Sequence, residues 1–177
     1  MTELMNETET LEHLNQATSV RGFFIATVDV FHHSIDALIQ RIFLKDDFAV
    51  QSVVGPLLHD SGPLGDLSVR LKLLFGLGVL PANTYHDIDT IIKLRNHLNS
   101  DGTEYVFTDS TILKQIQSLH LIKQMNIPQL SKTETKTEGY DPEFYQFQLA
   151  RQQQIIRSSL SLAIVGICNE LAKESPF

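Results

Sequence analysis

SGPLGDLSVRLKLLFGLGVLPANTYHDIDTIIKLRNHLNSDGTEYVFTD, running from Ser61 to Asp109, reads as a helix, a turn and a second helix with specific polar punctuation. Leu64, Leu67, Leu71, Leu74 and Gly78 recur every three or four residues, which predicts one leucine face on a helix that stops around Gly76 to Gly78. Pro81 then restarts the chain, because its fixed φ suits a helix start and its missing N–H costs nothing there. The second segment carries Ile88, Ile91, Ile92, Leu94 and Leu98, and helical spacing sets Tyr85, Ile88, Ile92, Arg95 and Asn99 along one stripe. Arg95 is therefore expected beside apolar neighbours. Asn99, Ser100, Asp101 and Gly102 favour a turn. Glu104 to Phe107 is expected to be extended.

Working outward, Val20, Phe24, Val28, Phe31, Ile35, Leu38 and Ile42 step by four and three, the pattern of a long amphipathic helix over 19–44. Phe23, Ala26, Val30, Ala37 and Leu44 widen its apolar surface, so this helix should be central, with Asp29, His33, Asp36 and Gln40 as its polar stripe. A short helix over 47–54 should be broken by Gly55 and Pro56. SKTETKTEGY, residues 131–140, is polar and aperiodic and reads as a surface loop. Asp141 then caps and Pro142 opens a final helix with Leu149, Ile156, Leu160, Ala163, Ile167 and Leu171 on one face. At up to ~33 residues it would be about 50 Å long, more than a compact domain of this size needs, so part of it is expected to pack on a partner or on a second copy. These elements predict an all-α, single-domain helical bundle of about six or seven helices, with helices 19–44 and 142–174 adjacent. Residues 1–18 form an N-terminal helical or partly mobile segment, and 19–177 the domain itself.

With 177 residues, a formal charge of −7 and a pI near 5.4, the chain lacks the basic balance that phosphate neutralisation requires. Arg151, Arg157 and Lys173 are spread along the last helix, and Lys114, Lys123, Lys132 and Lys136 form no dense run. A lone cysteine, Cys168, excludes an internal disulfide, suits a reduced compartment and reads as a buried, inert thiol. The acidic start MTELMNETETLEHLNQ is no signal peptide, and no apolar stretch approaches the ~20 residues of a membrane span, which together predict a cytoplasmic protein with no membrane contact.

Seven histidines invite a metal reading, and Asp29 with His33, His32 with Asp36, and His86 with Asp87 or Asp89 could share helix faces. No HExxH, CxxC or His pair four apart is present, so exposed charge pairing explains them better and no metal is expected. Asp46 and Asp47 read as helix-capping residues. SGPLGDLS lacks the following Lys of a phosphate loop, so its glycines read as tight-turn residues. Asp66 and Arg70, four apart, are expected to pair. Nothing resembles a nucleophile elbow or a Ser, His, Asp motif, so no catalytic residue, cofactor or enzyme activity is predicted.

The strings GPLGDLSVRLKLLFGLGV, FLKDDFAVQSVVGPLL, LRNHLNSDGTEYVFTD and RQQQIIRSSLSLAI resemble the mannitol operon repressor family, from about Val20 to the C-terminus. The resemblance implies a small, all-helical bacterial protein that represses genes of mannitol uptake and oxidation. IIKLRNHLNSDG is also similar to a helix end of HEPN nuclease-like domains, whose catalytic Arg and His lie four to six residues apart. Here His97 follows Arg95 by two positions, so that resemblance implies a shared helical architecture and not RNA cleavage.

Repression and an acidic chain meet most simply in an adaptor, which acts through another protein drawn from the transcription machinery or the sugar phosphotransferase system. A direct operator-binding dimer is the alternative, and it needs Arg151, Gln152, Gln153, Gln154 and Arg157 exposed on one surface. A helix-turn-helix over 64–99 is disfavoured, since Asp87 and Asp89 would face phosphates. A catalytically inactive, RNA-associated HEPN-like domain with an Arg95, Asn96 and Asn99 cluster is the second alternative, the bland reading being that Arg95 and Asn96 brace the helix end near Asp101. The candidate interaction residues are Asp66, Arg70, Arg95, Asn96, Asn99, Arg151 and Arg157.

Overall fold

A computed structural model describes residues 4–43, 48–127 and 141–173. Among them lie eight helices and no strand: α1 (Glu7–Asn15), α2 (Val20–Ile42), α3 (Phe48–Leu58), α4 (Leu67–Gly76), α5 (Ala82–Ser100), α6 (Ser110–Ser118), α7 (His120–Met125) and α8 (Pro142–Ala172). The fold is all-helical with a long C-terminal helix, as the periodicity predicted. The expected capping role of Asp46 and Asp47 and the expected loop at 131–140 lie outside the described residues.

Each boundary has a local cause. Asn6 and Glu9 make a reciprocal capping box on α1. Ser19 caps α2, Asp66 caps α4 and Asp141 caps α8 through their side-chain oxygens. Gly78, at φ +73°, ends α4 in the left-handed conformation that glycine adopts without a Cβ clash, and Val79 N–H donates to Leu74 O across it. One boundary departs from expectation: α3 runs through Gly55 and Pro56 to Leu58. Pro56 sits in the last turn, where its missing N–H forfeits a single bond and little helix remains to kink. Glu104 to Phe107 is irregular, not a strand.

The core is one cluster built around α2, which packs on α1, α4, α5 and α8. Phe23, Phe24 and Phe107 form an edge-to-face aromatic group at its centre, with Phe23 and Phe107 centroids 5.4 Å apart. Both α2 and α8 are long and apolar enough to cross a membrane by composition, which the sequence reading had not expected, but 67% of the apolar window of α2 is buried inside the bundle. That burial is what a central core helix requires, and it accounts for the hydropathy of α2 without a bilayer.

Four arginines then close the bundle, each donating to the free carbonyls at the C-terminal end of a helix other than its own. Arg21 donates to Leu98 O and Asp101 O at the end of α5 and to Thr103 O beyond it. Arg41 donates to Leu171 O and Ala172 O of α8, Arg70 to Leu58 O of α3, and Arg157 to Leu14 O and Asn15 O of α1 and to Ala17 O just past it. The last carbonyls of a helix have no intrahelical partner and carry the negative end of its dipole, so a guanidinium satisfies both.

The link from α3 to α4 is folded tightly back on itself. A Cβ on Gly62 would collide with the carbonyl oxygen of Pro56 and lie 2.6 Å from that of Leu57, and one on Gly65 would lie 2.7 Å from His59 O. Both obstacles are backbone and cannot swing aside. Gly62→Ala is therefore expected to lower stability by about 1–2 kcal/mol, read as the urea unfolding midpoint against wild type.

Candidate functional site

The candidate residues fall into three places. Asp66 and Arg70 do not pair. Asp66 turns back to accept from the N–H groups of Ser68 and Val69 at the start of α4, at 2.8 and 3.3 Å. Arg70, only 4% exposed, reaches instead for the Asp36 carboxylate on α2 and for Leu64 O and Leu58 O. Capping wins over the i,i+4 pair because Asp66 precedes the helix, where its carboxylate meets two free N–H groups. Arg70 is thus an internal brace between α2, α3 and α4. Asp36, expected on the polar stripe, is drawn inward by it while still facing His32 Nδ1 at 3.2 Å.

Arg95, Asn96 and Asn99 occupy the second half of α5. Asn96 and Asn99 are exposed, and Arg95 is half-buried with its Nε shielded from solvent and without a hydrogen-bond acceptor. Arg95 does not brace Asp101, which accepts from Thr103 and, at 2.5 Å, from the Tyr105 hydroxyl. Those bonds hold the Asp101 carboxyl below its ordinary pKa and push the Tyr105 phenol up.

Arg151 and Arg157 lie on α8, whose first buried residue is Ile156. Arg151 is exposed on the preceding stretch, as is Phe147, at 65%. Arg157 is half-buried: one Nη is committed to the three carbonyls around the end of α1, and its Cζ lies 5.5 Å from the centre of the Phe23 ring. Beside it, the start of α2, residues 105–107 and α8 enclose a cleft of about 250 Å³. The structure therefore does not bring Arg151 and Arg157 onto one open face.

Sequence reasoning missed Asp87. Expected at the surface, it is 2% exposed and caps α7 from α5, accepting from His120 N–H at 2.8 Å, Leu121 N–H at 3.1 Å and the His120 ring Nδ1 at 2.9 Å. Its spacing held the signal: Thr84, Asp87, Ile88 and Ile91 share one helical face. This external cap also splits the region after Asp109 into two helices, which contributes to the count of eight. No group of three metal-ligating side chains occurs among the described residues. Cys168 is mostly buried, and that burial pushes its thiol up.

Residues 6–172 match the family model described as mannitol repressor. The mannitol operon repressor of Escherichia coli (strain K12) is 39% identical over 171 residues, which cover 97% of this chain and 85% of that one. Among solved structures, one titled as the X-ray structure of the MtlR-HPr complex from Escherichia coli has a TM-score of 0.85 at 39% identity, covering 94% of this chain and 98% of that one. Fumarase E of Escherichia coli (strain K12) is 24% identical over 168 residues, covering 94% and 97%.

Proposed function

This chain belongs to the mannitol repressor family, and we propose that it represses genes of mannitol utilisation by engaging a partner protein, HPr of the sugar phosphotransferase system, and not by reading an operator. The observation that carries this is where the positive charge goes. Of the six arginines in the sequence, Arg21, Arg41, Arg70 and Arg157 are bonded to helix ends inside the bundle. A protein that grips DNA needs such groups free for phosphates and base edges. The relative solved as the MtlR-HPr complex supplies the partner.

The operator-binding dimer loses support for the same reason, since Arg157 has one Nη held by α1 and lines a cleft, which leaves Arg151 alone on an open face. We assign the chain no catalytic activity: the mannitol operon repressor, at 39% identity, outweighs the enzyme name met at 24%. A cytoplasmic location fits this reading.

Isothermal titration of HPr into the purified chain should give a Kd on the order of 1 μM. A labelled mannitol-operon control region, titrated at roughly 50 and 200 mM salt, should bind no more tightly than unrelated DNA. Selective, salt-sensitive DNA binding without HPr binding would reverse the assignment.

A further inference from the structure

We propose that the cleft between the start of α2, residues 105–107 and α8 is a binding site for a small hydroxylated oxyanion, of the class of short phosphate monoesters. This site does not depend on the partner-protein reading. At about 250 Å³ the cleft lies just below the range of drug-sized sites and has room for a ligand of only a few heavy atoms. In a chain of net charge −7, none of the residues lining it is acidic. Its one charged lining group is Arg157, whose hydrogen bonds among the described residues all go to main-chain carbonyls. Those carbonyls satisfy one Nη and set it at the negative end of the α1 dipole, but among the described residues no carboxylate pairs with Arg157, so a formal positive charge stands at the wall.

The acidic groups closest in sequence to the lining are each bonded to a group other than Arg157: Glu104 to Arg21, Asp109 to the N–H of Val106, and Asp101 to Thr103 and the Tyr105 hydroxyl. Beside Arg157, the amides of Gln153 and Gln154 and the hydroxyl of Thr18 line the same cleft, and each both donates and accepts. A cation flanked by such groups, with Val20 and Phe107 as apolar lining, suits a ligand that carries an oxyanion at one end and hydroxyls at the other.

The test is an NMR titration of the full ¹⁵N-labelled chain with glycerol 3-phosphate, inorganic phosphate and glycerol. Saturable shifts at Thr18, Ser19, Gln153, Gln154 and Arg157 are expected with glycerol 3-phosphate, at a Kd on the order of 1 mM or tighter. Phosphate should move the same signals more weakly, and glycerol should leave them in place. Ala150→Phe, which fills the cleft from an exposed position on α8, should raise the Kd at least roughly tenfold while the thermal melt is retained. If that variant folds poorly, the double variant Gln153→Ala, Gln154→Ala should weaken binding in the same sense. Absence of saturable shifts up to about 20 mM, shifts confined to other residues, glycerol binding as tightly as its phosphate, or affinity untouched in the folded variant would each overturn the proposal.

Discussion

Replacing Arg70 by alanine is expected to destabilise the protein by about 3–5 kcal/mol, the cost of removing one member of a buried ion pair. The side chain is 4% exposed and joins Asp36 on α2 to Leu58 O at the end of α3 and to Leu64 O before α4. Its loss leaves Asp36 to His32 and solvent, strands two carbonyls and opens a cavity the size of the arginine stem. At roughly 2–4 °C per kcal/mol for a chain of this length, the melting temperature should fall by about 6–20 °C in differential scanning calorimetry. Arg70→Lys should recover little of this, because the three acceptors are met by three different nitrogens of a planar fork, and the single nitrogen of an ammonium cannot reach all three positions. A lysine variant that melted with wild type would show that charge alone, not the fork, matters at this position.

The second large effect is expected at Asp87. Alanine there removes the acceptor for two main-chain N–H groups and for the His120 ring at once, and should cost about 3 kcal/mol. An asparagine side chain would keep one oxygen in place, so Asp87→Asn should lose about half as much. Since the carboxylate is, among the described residues, the side-chain cap on the N-terminus of α7, a helix of six residues, the loss should be local as well as global. Amide hydrogen exchange at Ile122 and Lys123 is the sensitive readout. Alanine and wild-type chains with equal protection there would mean that α7 is held by Leu119 and Ile122 packing alone.

These two residues also mark the limit of what the sequence discloses. The long helices, the Asp141 cap, the glycine stop at Gly78 and the single core were legible because each rests on periodicity or on a residue adjacent to its partner. Asp87 and Arg70 were misread because their partners are distant, 33 residues from Asp87 to His120 and 34 from Arg70 to Asp36. Local rules assign a charged residue on a helix to the nearest opposite charge or to solvent, which gave the expected Asp66 and Arg70 pair. Tertiary acceptors outcompeted both. The candidate surface was read in part for the same reason: Asn96, Asn99 and Arg151 are exposed, Asn99 although helical spacing sets it on the stripe of the buried Ile88 and Ile92, whereas Arg157 is claimed by the end of α1, which no spacing rule could reveal.

The arginine clamps also set an order in time. Arg157 reaches back 143 positions to Leu14, and Arg41 reaches forward 130 to Leu171, so these contacts close long loops of the chain, shorter than the one closed by Asn169 and Glu7, 162 positions apart. Closing such loops costs chain entropy, so the contacts that close them are expected to form after the local helices and the α2 and α5 packing have condensed. Interactions absent from the folding transition state slow unfolding without speeding folding. The two clamps that tie α8 to α1 and α2 are therefore expected to act as latches, set late in folding and felt in how long the bundle stays shut.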